Sequence, residues 1–338
     1  MAAVNQQWRL ASRPHGLVSP SNFDWREEPI GDPADGQALV RNIYLSLDPT
    51  YRGWMAYDTY LPAVPIGDVM RGITIGVVEA SKNPQFAPGD IVQGMGGFQT
   101  YLLSDGAGLN KLPRIPGQPL SIHFGALGHI GFTAYFGLAD LAKPQPGETL
   151  VVSAAAGAVG SLVGQIGKIH GCRVVGIAGT DEKCHWITSE LGFDAAINYK
   201  KEDVRKALQE HCPKGIDINF ENVGGPVMEA VLDNMKIHSR FILCGLISQY
   251  NAETPAPGPS NFALLLTKRI KLQGFVVLDF GARFGEAAQQ LVGWIMAGKL
   301  KYRLDQVDGL KSAPEALTRL FNGSNTGKLL VKVSEEPG

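Results

Sequence analysis

The sequence predicts a two-domain α/β protein, in which a β-rich lobe is joined to a doubly wound lobe, and three observations support this fold class. A chain of 338 residues, 44% of them hydrophobic, is longer than a single hydrophobic core usually supports. Short β-like runs separated by Gly, Pro and Asp turns fill residues 37–112. Beyond about Ser121, compact apolar strands alternate with longer helical stretches, a pattern typical of βαβ units in a parallel sheet.

The individual elements follow from these patterns. In the β-rich lobe we expect strands at 38–43 and 72–78. In the doubly wound lobe we expect strands at 149–153, 173–177, 216–220, 240–244 and 271–278, and a helix at 286–296. The closing apolar run at 327–333 is too short to form a domain and should return to the β-rich lobe. The resulting division assigns 1–122 with 306–338 to the first domain and 123–305 to the second.

Composition narrows the functional class. The chain has 31 Lys and Arg against 32 Asp and Glu, so no overall field attracts nucleic acid or an anionic membrane. The N-terminus lacks a targeting pattern and no apolar run approaches a membrane span, which favours a cytoplasmic protein. The four cysteines lie far apart and form no C-x-x-C pair, which favours reduced thiols and no bound metal; their positions are Cys172, Cys184, Cys212 and Cys244.

The run from Leu150 to Gly164 indicates a dinucleotide site, because a strand meets a glycine turn that opens a helix. Gly157 would permit the tight turn, Gly160 would let the backbone approach a pyrophosphate, and the helix N-terminus would offer N–H groups. Position 155 is Ala where the fingerprint usually has its first glycine. The alternative is an ordinary turn before a packed helix.

The end of the next strand favours NADPH over NADH. An NAD site normally places an acidic residue there for the ribose 2′-hydroxyl, whereas this strand ends at Ala178-Gly179 and is followed by Lys183. A glycine leaves room for a 2′-phosphate and a lysine can neutralise it. Tyr199 is a further candidate contact. Lys183 could instead be a solvated helix residue and Tyr199 a surface-turn residue, while the acidic pair 181–182 could serve the helix N-terminus.

Four segments resemble one known family: residues 153–161, 220–225, 245–251 and 323–328. They are similar to those of the zinc-independent medium-chain dehydrogenase/reductases, in the alkenal/one double-bond reductase branch that includes prostaglandin and leukotriene reductases and bacterial curcumin-reductase-like enzymes. The resemblance covers nearly the whole chain. It implies a GroES-like catalytic domain, a Rossmann domain, usually a homodimer, and NADPH-dependent reduction of the carbon–carbon double bond of an α,β-unsaturated aldehyde or ketone.

The same resemblance implies roles for single residues. Lys183 and Tyr199 match positions that contact the 2′-phosphate, Asn222 matches one along the cofactor, and Asn325 matches an asparagine near the nicotinamide. From sequence alone, the segments around Asn222 and Asn325 indicate only turns. The cofactor-binding residues that we expect are Ala156, Gly157, Val159, Gly160, Gly179, Lys183, Tyr199, Asn222, Cys244, Gly245, Tyr250, Phe275, Val277 and Asn325.

Hydride transfer to such a substrate requires a hydrogen-bond donor for the enolate oxygen. Tyr250 is the first candidate, since it matches an active-site tyrosine of plant double-bond reductases. Tyr60 is the second, because it lies in a segment that resembles the substrate-binding loop of bacterial members. Tyr250 could instead pack at a loop or dimer edge, and Tyr60 could be an exposed aromatic. His123 and His129 have no apparent partner ligands and are interpreted as structural.

Two departures from the family pattern bear on the substrate. The family commonly reads Asp-Pro-Tyr-Met-Arg where this chain has Asp48-Pro-Thr-Tyr-Arg52, a shift that would turn Tyr51 to the opposite face of a strand. We expect Asp48 and Arg52 to hold this loop by local hydrogen bonds. Leu278 replaces a tyrosine of mammalian members. Two alternatives stay open: an NADPH:quinone reductase of the zeta-crystallin type, and a dinucleotide-binding protein without catalysis.

Overall fold

The computed structural model describes residues 4–338, which fall into two compact units. The first unit holds the described residues up to Ile122 together with Asp305–Ser324 and Leu329–Gly338. The second unit holds His123–Leu304 and Asn325–Lys328. The chain therefore passes from the first unit to the second twice, for residues 123–304 and for the four residues 325–328, and returns to the first unit each time.

The first unit is built on antiparallel strands. A hairpin pairs β1 (Val4–Leu10) with β2 (Phe23–Pro29). A seven-stranded sheet has β3 (Ala38–Ser46) at its centre, paired with β4 (Thr74–Ser81) and with β15 (Lys328–Lys332). The remaining strands of this sheet are β5 (Ile91–Gly94), β6 (Tyr101–Ser104), β7 (Asn110–Lys111) and β14 (Leu304–Asp308).

Two helices complete the first unit, α1 (Tyr51–Trp54) and α10 (Ala313–Asn322). Both help to enclose an apolar core of large buried side chains, among which Tyr51, Trp54 and Phe98 are fully buried. The Tyr51 ring stacks on Trp54 at 4.8 Å and meets Phe98 edge-on at 6.1 Å. Burial of these aromatic rings removes a large apolar area from water and so stabilises the unit.

The second unit is a six-stranded parallel sheet whose strand order is β10-β9-β8-β11-β12-β13. Its strands are β8 (Thr149–Val152), β9 (Arg173–Ala178), β10 (Ala195–Asn198), β11 (Ile216–Glu221), β12 (Met235–Leu243) and β13 (Lys271–Gly274). The order reverses between β8 and β11. In doubly wound sheets, ligands bind beyond the carboxyl ends of the strands at this reversal.

Helices connect and cover these strands. They are α2 (Ile122–Gly125), α3 (His129–Ala134), α4 (Ala158–Ile169), α5 (Asp181–Ser189), α6 (Val204–His211), α7 (Gly225–Asn234), α8 (Leu264–Thr267) and α9 (Phe284–Met296), and a π-helix spans Tyr135–Ala142. Among residues 4–338, no helix is both long and apolar enough to span a membrane. The predicted fold class, a β-rich domain with a Rossmann-type domain, is confirmed.

Two local predictions were wrong. The strand expected at 271–278 ends at Gly274, and Val277–Arg283 forms a 3₁₀ helix in which Leu278 is 51% exposed. The segment around Asp48 is a turn leading into α1 and not a strand, because Tyr51 N donates to Asp48 O. Pro49 is the second residue of this turn, a position that favours proline. The strand-face reasoning for Tyr51 therefore does not apply, although its side chain is indeed fully buried.

Candidate active site

The glycine turn after β8 has the geometry of an anion-binding helix start. Gly157 occupies the N-cap position of α4, and no side chain accepts a hydrogen bond from the first N–H groups of this helix. The first N–H groups of such a helix lack partners within the helix and carry the positive end of its dipole. Ala154, just before the turn, has φ +50°, a left-handed conformation that is unusual for Ala. The turn is thus strained and its helix N-terminus is open to a ligand.

The structure shows a close contact within the protein at Gly160. A Cβ at position 160 would lie 2.4 Å from the carbonyl oxygen of Ala154, which is the protein's own backbone. A Cβ at Gly157 would lie 3.1 Å from the same oxygen. Glycine at position 160 therefore lets α4 pack closely on the end of β8, which is the packing role of the last glycine in such turns.

A late segment of the chain pairs with the glycine turn inside the second unit. Gly157 and Gly327 form an isolated parallel bridge, and Gly327 N donates to Ala156 O at 3.2 Å. Asn325 lies two residues earlier, and its Nδ2 donates to Gly327 O at 3.2 Å. The structure therefore brings Asn325 beside the residues predicted to bind the cofactor.

The end of β9 brings together three of the predicted residues. The Tyr199 ring covers Gly179, since a Cβ at 179 would lie 3.0 Å from Tyr199 Cε1. Lys183 is half-buried in the first turn of α5, where its N–H donates to the Thr180 hydroxyl at 3.2 Å. Asp181 is engaged by the side chains of Lys201 and Asn198, which hold the pKa of its carboxyl below the usual range.

This arrangement fits a 2′-phosphate. The carboxylate nearest the end of β9 is bonded to two neighbouring side chains, and a glycine stands where an NAD site places an acid. Lys183 supplies a cation and Tyr199 a hydroxyl and a ring on the same edge of the sheet. The 44% exposure of Tyr199 leaves its surface accessible to a ligand.

At the end of β11, the structure reveals a residue that sequence reasoning missed. Glu221 is fully buried, and its carboxylate accepts hydrogen bonds from Ser153 Oγ at 2.9 Å and from the N–H groups of Val223 and Gly224 at 2.7 and 2.8 Å. The neighbouring Asn222 donates from Nδ2 to Ser153 O at 2.8 Å. The signal available in the sequence was a charged residue that closes a strand directly before the turn at 222–225.

The loop after β12 contacts the end of β11. Cys244 N and Gly245 N both donate to the carbonyl oxygen of Glu221, at 2.9 and 3.1 Å. The Tyr250 hydroxyl accepts a hydrogen bond from Leu246 N at 3.3 Å and lies 3.1 Å from a Cβ placed on Gly245. Burial, with the nearby Glu221 as a smaller cause, raises the pKa of the Cys244 thiol to about 12. Tyr250 is therefore placed beside the predicted cofactor-facing loops, and Cys244 stays protonated.

The remaining predicted cofactor residues occupy different positions. Ala156 is buried in the glycine turn and Val159 lies half-buried in the first turn of α4. Phe275 follows β13 and meets Phe220 edge-on at 6.3 Å. Val277 begins the 3₁₀ helix and is half-buried.

Tyr60 belongs to the first unit. Its hydroxyl lies 3.1 Å from Thr50 Oγ1, its ring meets Trp54 edge-on at 6.2 Å, and it is 49% exposed. Thr50, which stands where the family commonly has tyrosine, thus contacts the second candidate donor. Asp48 accepts a local hydrogen bond from Ser46 Oγ as expected. Arg52 instead donates to the carbonyls of Pro14 and Gly16, which belong to a distant segment of the chain.

The two histidines considered as ligands lie in packed surroundings. His123 is buried, and the His129 ring meets Phe124 edge-on at 6.3 Å. Throughout residues 4–338, no three side chains of His, Cys, Asp and Glu come together as a possible metal site.

Comparison with known proteins adds to this geometry. Residues 6–112 match the family described as the N-terminal domain of oxidoreductase, and residues 158–293 match the family described as zinc-binding dehydrogenase. The chain is 47% identical to the NADPH-dependent curcumin reductase of Escherichia coli (strain K12) over 98% of this chain and 97% of the relative. It is 44% identical to a tobacco (Nicotiana tabacum) 2-alkenal reductase (NADP(+)-dependent) over 88% of each chain.

A solved structure agrees with these relatives. The crystal structure of CurA from Vibrio vulnificus in complex with NADPH superposes with a TM-score of 0.92 at 46% identity, over 98% of this chain and 100% of that one. Similarity of this extent, over both units, shows the family. The chain belongs to the zinc-independent medium-chain dehydrogenase/reductases, in the branch of the alkenal/one double-bond reductases.

Proposed function

We propose that this protein reduces the carbon–carbon double bond of α,β-unsaturated aldehydes or ketones with NADPH. The observation that carries the proposal is the similarity over nearly the whole chain to the E. coli curcumin reductase, together with the similarity to the tobacco 2-alkenal reductase. The second unit supports the use of NADPH, because no side chain caps the N-terminus of α4 and Asp181, the carboxylate that follows β9, is bonded to Lys201 and Asn198.

NADP(H) fits the residues at this edge of the sheet. The open N-terminus of α4 would hold the pyrophosphate, and Lys183 and Tyr199 would hold the 2′-phosphate. We assign Asn222, Gly245 and Asn325 to the same cofactor, since their backbones or side chains bond to the loops around it. When bound, NADPH supplies the hydride.

The protein's own contribution is to stabilise the enolate oxygen and to exclude water. We assign the donor role to Tyr250, whose hydroxyl is oriented by Leu246 N, and a phenol keeps its proton at neutral pH. Tyr60 is the second candidate, with the Thr50 hydroxyl beside it to relay or share a proton. Each donor would bind a developing negative charge more strongly than the neutral carbonyl of the substrate.

One assay tests this proposal. Oxidation of NADPH and of NADH is followed with a panel of 2-alkenals, enones and quinones, with and without a chelator, and the products are identified. We expect saturated carbonyl products, NADPH preferred, and no effect of the chelator. Absence of turnover with every unsaturated carbonyl would refute the proposal, and hydroquinone as the main product would establish the quinone reductase instead.

We propose further that the protein is a homodimer. In the second unit, β13 pairs on one side with β12, and the segment leading into it carries exposed apolar side chains, with Leu266 78% exposed. An open edge strand with apolar neighbours favours pairing between two copies. Light scattering should give twice the chain mass, and Leu266→Glu should shift it towards the monomer.

We also propose a cytoplasmic location, since the four cysteines are unpaired and a reducing compartment keeps thiols in that state. Fractionation of the source cells with an antibody against the protein tests this. Recovery with secreted or periplasmic proteins would contradict it.

A further inference from the structure

Glu221 is a fully buried carboxylate next to the candidate active site, and it accepts hydrogen bonds from four donors. Oε1 accepts from Ser153 Oγ and from two backbone N–H groups, those of Val223 and Gly224. Oε2 accepts from Asn219 Nδ2 at 3.0 Å. A buried carboxylate is stable only when donors of this kind replace its water.

These contacts join three loops. The Glu221 side chain binds Ser153 in the loop after β8 and the turn that starts α7. Its main-chain carbonyl accepts from Cys244 N and Gly245 N in the loop after β12. The strands β8, β11 and β12 are neighbours, and the strand order reverses between the first two. Glu221 therefore lies where the cofactor-facing loops meet.

The Ser153 hydroxyl extends this network. It donates to Glu221 and accepts from Asn222 N at 2.8 Å, while Asn222 Nδ2 returns a hydrogen bond to Ser153 O at 2.8 Å. These hydrogen bonds hold the residues after β8 and after β11 together.

The glycine turn needs such support. Ala154, directly after Ser153, has φ +50°, a strained conformation that a non-glycine residue keeps only when its surroundings hold it there. Ser153 is fully buried and bonded to Glu221 and Asn222, so the residue directly before the strained Ala154 is held in place.

We infer that Glu221 is a positioning residue for the dinucleotide: its carboxylate holds the loops after β8, β11 and β12 in their cofactor-binding arrangement before the cofactor arrives. Pre-organisation of this kind lowers the free energy that binding must spend on ordering the loops. The inference concerns cofactor affinity and does not depend on which substrate is reduced.

Two substitutions at Glu221 test whether its carboxylate positions the loops. In Glu221→Ala, all four donors lose their acceptor, and we expect the Kd for NADPH to rise about tenfold or more. In Glu221→Gln, Oε1 is retained. Asn219 Oδ1 is buried without a partner, so the Asn219 amide can rotate to accept from the new amide. Glu221→Gln should therefore keep the Kd within about threefold of wild type.

Asp217→Asn is the matched control. Asp217 stands near the start of the same strand, where it accepts from Thr149 N at 2.8 Å and from Lys236 Nζ at 2.8 Å. It links β8, β11 and β12 at the edge opposite to the cofactor loops. We expect Asp217→Asn to lower Tm while leaving the Kd for NADPH unchanged.

Binding is measured by calorimetry on the full chain well below each Tm, with kcat at saturating NADPH recorded in parallel. The expected pattern is a raised Kd and KM for NADPH in Glu221→Ala, with kcat changed by less than about threefold. An unchanged Kd in Glu221→Ala, or an equal loss of affinity in Asp217→Asn, would overturn the inference.

Hydrogen exchange on the cofactor-free protein gives a second readout, which does not require activity. The N–H groups of Val223 and Gly224 should exchange faster in Glu221→Ala than in wild type, and the Asp217→Asn protein should match wild type there. If Glu221→Ala does not fold, Ser153→Ala replaces it, with Kd raised about threefold and the same faster exchange. Wild-type affinity and exchange in Ser153→Ala would then refute the positioning role.

Discussion

The hydroxyl of Tyr199 lies 3.1 Å from the position that a Cβ on Gly179 would occupy, so the tyrosine stands directly over the glycine that ends β9. Any larger side chain at 179 would displace it. The glycine and the tyrosine together leave a polar, partly open corner, and Lys183 follows Gly179 by four residues, in the first turn of α5.

Lys183→Ala should raise the KM for NADPH about tenfold and the KM for NADH far less, because a charge-assisted hydrogen bond to a phosphate contributes roughly 1.5 to 3 kcal/mol. Steady-state kinetics with both cofactors measure the difference. Lys206→Ala, which removes an exposed lysine from α6, is the control for the change in net charge. Equal effects on the two cofactors would contradict the 2′-phosphate assignment.

Gly160→Ala should destabilise the second unit by about 1 to 3 kcal/mol, because the new methyl group would lie 2.4 Å from Ala154 O and the backbone would have to move. Thermal unfolding should show a lower Tm and weaker protection by NADPH. Gly285→Ala in α9 is the control, since a Cβ there meets nothing within 4 Å and Ala favours a helix. A wild-type Tm in Gly160→Ala would show that the contact is not tight.

Tyr250→Phe should lower kcat by about ten- to a hundredfold with little change in the KM for NADPH, because the donor acts mainly on the enolate. Stopped-flow measurement of NADPH oxidation isolates the chemical step. Tyr60→Phe, which removes the hydroxyl beside Thr50, is made in parallel. A normal rate in Tyr250→Phe with a slow Tyr60→Phe would move the donor role to Tyr60.

The cysteines should resist the substrate itself. Unsaturated aldehydes alkylate thiolates, and burial raises the pKa of Cys172 and Cys212 to about 11 and that of Cys244 to about 12. Each unit of pKa lowers the thiolate fraction about tenfold. At pH 7.5 the thiolate fraction should therefore be more than about a hundredfold below that of a free cysteine peptide for Cys172 and Cys212, and more than about a thousandfold below it for Cys244. Mass spectrometry after incubation with a 2-alkenal counts the adducts, and the rate should rise as pH increases. Rapid adducts on Cys244 at neutral pH would contradict this expectation.

Sequence reasoning succeeded where structure is local. The run around Gly157 combines an apolar strand, a glycine turn and a helix within about fifteen residues, so its fold could be predicted from neighbouring residues alone. The alternation of strands and helices likewise predicts a parallel sheet, but repetition of one unit does not predict the reversal of strand order between β8 and β11. Contacts between distant segments could not be predicted in this way. The bridge between Gly157 and Gly327 and the bond from Ser153 to Glu221 depend on tertiary packing.

Two errors have physical causes. The apolar run after Gly274 resembles a strand, yet it has no further pairing with β12 and turns into a 3₁₀ helix with Leu278 half exposed. Glu221 was not predicted as a site residue because a charged side chain is ordinarily solvated. Only the hydrogen-bond donors that surround it in the folded chain make its burial favourable.

The pairing of Gly327 with Gly157 also bears on how the protein is made. A ribosome delivers β8 and its glycine turn long before it delivers Asn325–Lys328, so the turn first forms without the backbone that lies beside it in the finished protein. A message cut short before codon 325 would encode every strand of the parallel sheet and still leave the cofactor turn uncovered on one side. Only polypeptides translated past codon 327 acquire the backbone that pairs with this turn.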